Sequence, residues 1–251
     1  MLCKISFSSD SQIHLPTSYN YIIQSILYKF INEESYANFM HNQGYIFNNR
    51  SYKLFSFSNI LERPLLIDRK KKRFVFPKDI SLYFSSVDND FFRYVFNSII
   101  NADKYVNIGQ NTAVISKIEF IRQDVSQKEI VAAMSPITIY STLLTPENNK
   151  KTYYYNPYEK EFSSYIRKNL IHKYIALYGD DPTNDNFLIV PKRDIHESII
   201  KYKGFIIKGH TGTFEIEGAQ ELMDIAFCAG LGGKNSQGMG LIVKEEILKQ
   251  K

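Results

Sequence analysis

The chain has 251 residues, with 31 Lys and Arg against 26 Asp and Glu, for a formal net charge of +5. Its 44% hydrophobic and 23% charged residues are ordinary globular usage, which excludes a disordered, collagen-like or coiled-coil chain. No apolar run approaches the roughly 18–20 residues of a membrane helix, and the N-terminus is too polar for a secretory leader, so a cytoplasmic protein with no membrane partner is expected.

Residues 2–7 alternate as a strand. Pro16 stands just ahead of a helix over 18–31, whose Ile23, Ile26, Leu27, Phe30 and Ile31 fall on one stripe. A shorter helix over 34–41 turns Tyr36, Phe39 and Met40 inward, and Gly44 offers its stop. Strands follow at 52–57, 73–76 and 80–85, then a helix over 89–100 with Phe92, Val95, Phe96 and Ile99 on one face, then a strand over 113–121. The second half keeps the rhythm. Strands are expected at 130–139 and 151–155, and a long helix over 159–177 carries Phe162, Tyr165, Ile166, Leu170 and Tyr174. Strands at 195–202, 204–208 and 213–216 precede a helix over 219–229 with Leu222, Ile225, Ala226 and Ala229 in register. A last strand is expected over 239–247. Each half reads β-α-β-β-α-β, the ferredoxin-like order. The pattern therefore predicts an α+β protein of two tandem ferredoxin-like domains, residues 1–125 and 126–251, meeting in the polar stretch 124–128.

The sharpest local feature is residues 230–240, with five glycines in eleven positions between the last helix and the last strand. Glycine permits positive φ and close backbone approach, so such a loop can turn amides toward a phosphate. A helix cap with a tight turn is the other reading. A P-loop does not fit, because Asn235 follows Lys234 where Ser or Thr is needed. The dinucleotide fingerprint opens a helix, whereas this loop closes one.

The pattern Gly230-Leu231-Gly232, five residues, then Gly238-Met239-Gly240 resembles the C-terminal signature of the repeat-associated RNA-binding proteins of CRISPR systems. Three further segments are similar to one family, the CRISPR-associated endoribonuclease that cuts repeat precursor RNA into guide RNAs: Tyr52-Lys-Leu-Phe-Ser-Phe-Ser58, Ser135-Pro-Ile-Thr-Ile139 and Asn156-Pro-Tyr-Glu-Lys-Glu-Phe162. The resemblance spans nearly the whole chain and implies two ferredoxin-like folds. It implies repeat RNA as partner, together with other subunits of a guide-RNA complex, a monomeric or homodimeric state, and no cofactor. RNA would lie across a basic face between the halves, with Gly230, Gly232, Gly238 and Gly240 and the polar Lys234, Asn235, Ser236 and Gln237 holding its backbone.

By the same resemblance, Tyr28, His41 and Lys53 match the family's catalytic positions. Read as residues alone, Tyr28 is a flank of the first helix, His41 a cap in the last turn of the second, and Lys53 an edge-strand lysine. As a set they suit cutting by the RNA 2′-hydroxyl, which needs a base, an acid and a cation but no metal. The expected products are a 2′,3′-cyclic phosphate (or 3′-phosphate) and a 5′-hydroxyl. His14, His172, His196 and His210 form no metal-spaced cluster and read as structural or surface residues. Cys3 and Cys228 are too few for a disulfide framework or a zinc site. The run Arg69, Lys70, Lys71, Lys72, Arg73 reads as a hairpin turn offered to phosphate. Two rivals remain: a non-catalytic RNA-binding subunit of the same fold, and a nucleotide enzyme using the glycine loop.

Overall fold

The computed structural model describes residues 1–101, 105–144 and 148–249. In the first half, strand β1 (Leu2–Ser8) and the short β2 (Ile13–Pro16) lead into helix α1 (Asn20–Lys29). Helix α2 (Glu34–Asn38) passes into a π-helical turn over Phe39–Gln43. Strands β3 (Tyr45–Phe47), β4 (Arg50–Tyr52), β5 (Phe55–Phe57), β6 (Leu66–Asp68), β7 (Arg73–Phe76) and β8 (Asp79–Ser86) follow. Helix α3 (Asn89–Asn101) and strands β9 (Tyr105–Ile108) and β10 (Asn111–Ile121) complete it. The second half runs β11 (Lys128–Ala133), β12 (Tyr140–Leu144), β13 (Lys150–Tyr154), α4 (Lys160–Tyr178), β14 (Phe187–Tyr202), β15 (Phe205–Gly218) and α5 (Gln220–Ala229). A 3₁₀ turn over Asn235–Gln237, strand β16 (Ile242–Lys244) and helix α6 (Glu245–Lys249) end the described chain.

Two antiparallel sheets organise these elements, in the orders β5-β8-β1-β10-β9 and β14-β15-β11-β16. Each β-α-β-β-α-β unit has its first strand between its third and fourth: β1 between β8 and β10, and β11 between β15 and β16. That is the ferredoxin-like arrangement twice over. Alternation fixes the faces of β1. Cys3, Ile5 and Phe7 turn to the core under α1 and α3, whereas Leu2 turns the other way, onto Tyr83, Leu241 and Val243. The second half thus packs on the back of the first sheet. All five predicted stripe residues of α1 are buried. Phe162, Ile166 and Leu170 of α4, with Leu222, Ile225 and Ala226 of α5, fill the second core.

Several predicted boundaries are corrected. The 52–57 strand breaks at Lys53 and Leu54; Leu54 takes φ 50° and enters the second half's core, while Phe55 and Phe57 enter the first. The 130–139 strand stops at Ala133, ahead of Pro136, which has no N–H to continue a ladder. The strands expected at 204–208 and 213–216 are one, β15, and its partner β14 begins at Phe187 and carries two register shifts. The last strand ends at Lys244, and Glu245–Lys249 is helical. No helix among the described residues is long and apolar enough to cross a membrane.

Candidate functional site

The segment after α2 does not continue as an α-helix to His41. Its bonding widens, and the Gly44 amide closes the turn on the Phe39 carbonyl at 2.7 Å. A helix end leaves carbonyls without intrahelical donors, and here three side chains take them. The Tyr28 hydroxyl donates to the Met40 carbonyl at 3.3 Å, and Lys53 Nζ donates to the His41 carbonyl at 3.2 Å. The Ser51 hydroxyl donates to the Gln43 carbonyl. The Tyr28 ring meets the His41 ring edge-on at 5.9 Å and Phe55 at 5.7 Å. His41 is exposed, with Nδ1 2.8 Å from Asn42 Oδ1. Tyr28, His41 and Lys53 are therefore brought together through the backbone of one turn.

Gly44 makes this geometry possible. It adopts φ 65° and ψ −166°, a conformation open essentially to glycine alone. A Cβ there would stand 2.6 Å from the Tyr52 carbonyl oxygen and 2.9 Å from Lys53 Cδ. Burial pushes the Tyr28 phenol above its ordinary range, with Tyr202 nearby adding to the push. Burial draws the Lys53 ammonium below its ordinary range.

Lys53 also lines a cleft of about 930 Å³ between the two halves. Arg50, Lys168, Lys173 and Lys234 join it there, and among the described residues no carboxylate lines this cleft. Such a cleft focuses positive potential on an anionic chain. His172, expected to be structural or surface, lies in this wall, with Nδ1 3.3 Å from the Tyr52 hydroxyl and its ring 5.1 Å from Phe47. Burial, then the charges of Lys168 and Arg50, lower its pKa. Arg50, Lys168, Asn169, Lys173 and Gly44 were missed by the sequence reading. For the α4 residues the available signal was the helical spacing of Tyr165, Lys168, Asn169 and His172, which also describes an ordinary solvent face, and Gly44 was read only as a helix stop.

The glycine loop forms another wall, and several of its amides are spent within the protein. Gly230, Gly232, Gly238 and Gly240 are buried, and the amides of Gly230, Gly238 and Gly240 donate to the carbonyls of Ala226, Asn235 and Pro136. At Gly240 a Cβ would fall 1.9 Å from the Leu231 carbonyl oxygen, so the close approach that glycine permits is to the protein's own backbone. Asn235 lines the cleft but is largely buried, its amide donating to the Leu231 and Met239 carbonyls, each at 3.1 Å. Asn20, at the start of α1, donates to the Gln237 and Gly238 carbonyls and ties the loop to the first half. The loop lines the cleft from Gly232 to Gln237, with Lys234, Ser236 and Gln237 its more exposed side chains there. Lys234 Nζ lies 5.2 Å from the centre of the Tyr140 ring.

Arg69, Lys70, Lys71 and Lys72 form the turn of the β6–β7 hairpin, as expected, and Arg73 opens β7 beside Asp68 at 3.5 Å. None of the five lines the cleft. Among the described residues no group of three or more His, Cys, Asp or Glu side chains could hold a metal ion.

Residues 14–119 match the family model for the N-terminal part of CRISPR-associated protein Cas6, and residues 119–243 match that for the C-terminal part. CRISPR-associated endoribonuclease Cas6 1 of Methanocaldococcus jannaschii is 26% identical, over 100% of this chain and 95% of its own length. The CRISPR-associated endoribonuclease-like protein Cas6nc of Pyrococcus horikoshii is 23% identical, over 91% of this chain and 92% of its own. The solved structure of a Cas6-related gene product from Pyrococcus furiosus superposes with a TM-score of 0.84 over 98% of each chain, at 22% identity.

Proposed function

The chain belongs to the Cas6 family of CRISPR-associated proteins, and from that premise we propose that it is an endoribonuclease that cuts CRISPR repeat RNA by 2′-hydroxyl attack without a metal ion. The observation that carries this reading is the single turn on which Tyr28 and Lys53 both close, presenting an exposed His41 beside a basic cleft that Lys53 itself lines.

The 2′-oxygen attacks the adjacent phosphorus, and the bond from phosphorus to the 5′-oxygen breaks. One proton leaves the 2′-oxygen and one arrives at the 5′-oxygen, leaving a 2′,3′-cyclic phosphate and a 5′-hydroxyl. His41 is the side chain of the three whose ordinary titration lies nearest neutrality, and it handles one of these protons. Lys53 places positive charge where the phosphate oxygens gain negative charge. The Tyr28 phenol, pushed up by burial, holds its proton at neutral pH and so donates a hydrogen bond rather than acting as a base. In this reading residues 1–125 supply the chemistry and residues 126–251 hold the RNA through the cleft wall. The basic hairpin at residues 69–73 adds a phosphate contact outside the cleft, and processing takes place in the cytoplasm.

The test is incubation of the purified protein with end-labelled repeat RNA in EDTA, beside the same RNA carrying 2′-deoxyribose on the 5′ side of the cut. Cleavage of the first and not the second is expected. Cleavage of the deoxy substrate refutes the mechanism. Binding without cleavage of either leaves the chain an RNA-binding member of its family.

A further inference from the structure

The floor of the cleft contains a polar group with no partner. Asn169 of α4 lines the cleft yet is only 9% exposed, and its Oδ1 is buried with no hydrogen-bond partner. A buried carbonyl oxygen left unpaired costs about 1–3 kcal/mol, so such groups are rare unless something else satisfies them. Its helical neighbours do not. Lys173, one turn on, gives its ammonium to the Gly230 carbonyl at 2.6 Å, and Nδ1 of His172 lies 3.3 Å from the Tyr52 hydroxyl.

We propose that Asn169 is a specificity-determining residue whose side-chain amide reads the edge of one unpaired nucleobase of the repeat RNA, held in the cleft between the two halves. This rests on the functional reading above and adds to it a subsite away from the cut. The orphan is an acceptor, so its ligand brings an N–H or O–H. A phosphate diester has neither at neutral pH, whereas every nucleobase carries an N–H donor on its Watson–Crick edge, and an asparagine amide pairs with an edge offering a donor beside an acceptor. The surroundings suit a planar base. Tyr52, Tyr140 and Tyr165 line the same cleft, and aromatic faces hold unpaired bases by stacking. Arg50, Lys168 and Lys234 are there for the flanking phosphates. Replacing Asn169 with leucine removes the orphan without opening a large cavity, so the fold gains rather than loses by the change.

The experiment measures binding of the full chain and its Asn169→Leu variant to repeat RNA carrying one abasic ribose at each position in turn. In the wild type one position is expected to cost about 10²-fold in affinity, about tenfold for the hydrogen bond and about as much again for the lost stacking. In Asn169→Leu the intact RNA binds about tenfold more weakly, the abasic substitution at that position then costs about tenfold less than in the wild type because only stacking remains to be lost, and the thermal midpoint is equal to or above that of the wild type. An abasic ribose keeps its 2′-hydroxyl, so an affinity loss seen only with 2′-deoxy substitution assigns the contact to the sugar and overturns the base-reading proposal. An unchanged abasic profile in Asn169→Leu overturns it as well, as does a lowered thermal midpoint, which makes Asn169 a structural residue. A wild type that binds repeat and scrambled RNA alike refutes the functional reading itself, a different failure from any of these.

Discussion

Replacement of Gly44 by alanine isolates the geometry that holds Lys53 against the turn of His41. The added Cβ would stand 2.6 Å from the Tyr52 carbonyl oxygen, and ordinary contact begins at 3.4 Å, so the β3–β4 hairpin and the π turn must separate. Lys53 Cδ, 2.9 Å away, must move with them, and the 3.2 Å bond from Lys53 Nζ to the His41 carbonyl is lost. The backbone strain alone costs about 1–3 kcal/mol. Against a typical total of about 5–15 kcal/mol the protein stays folded, with its thermal midpoint lowered by several degrees. A displacement of this size at a group that meets the transition state lowers a rate by about 10²-fold. Single-turnover cleavage of labelled repeat RNA is therefore expected to fall by about that factor, with affinity held within a few fold. Gly179→Ala is the control: φ there is 86°, but a Cβ would meet nothing within 4 Å, so it brings the strain without moving the site. Equal rate losses in the two variants would assign the effect to stability. A wild-type rate in Gly44→Ala would show that Lys53 needs no such anchoring.

His41→Ala should lower the single-turnover rate by about 10²–10⁴-fold with affinity nearly unchanged, because the side chain is exposed and its loss opens no core cavity; parallel binding and cleavage assays check this. Gly240→Val should destabilise the whole protein rather than weaken RNA contact selectively, since its Cβ would fall on the Leu231 carbonyl; the thermal midpoint should drop far more than in Lys234→Ala. Lys173 is fully buried, and burial lowers its pKa from 10.5 to about 7. The unfolded chain thus binds the extra proton between those values, and stability attributable to this lysine rises with pH from about 7 toward 10.5. Denaturant titrations of the wild type and Lys173→Met should diverge across that window, and parallel curves would refute the assignment.

Periodicity made the helices legible because a packed helix shows one face. The stripes of α1 and α5 are buried residue for residue. Strands failed where tertiary packing overrides the local pattern. Tyr52 to Phe57 alternates like one strand, yet Leu54 is claimed by one core and Phe55 by the other, and the chain breaks between them to serve both. Conversely, the strand expected from 195 begins at Phe187, and β14 runs through Pro191 because its register shifts accommodate the extra residues. The candidate site shows the same division. Residue chemistry and resemblance pick out Tyr28, His41 and Lys53, but nothing local marks Gly44 as the residue that lets Lys53 lie against the turn. Asn169 is hidden for another reason: a polar residue on a helix reads as solvated, and its burial exists only in the packed structure.

The glycine signature shows how far residue type alone carries. Glycine at a positive φ beside a close neighbour was a correct inference at Gly232, Gly238 and Gly240, but it leaves the neighbour unnamed. The neighbours are Thr138, Asn20 and Leu231, all of this chain. On the proposed function, the glycines of the loop would act on RNA at one remove. Its glycines and the largely buried Asn235 make a rigid turn, Asn20 and Lys173 fasten that turn to α1 and α4, and Lys234, Ser236 and Gln237 face the cleft as a consequence. A change in the residues packed behind this loop would therefore reach the cleft, because the hydrogen bonds made by its glycine amides and by Asn235 also set where Lys234 stands.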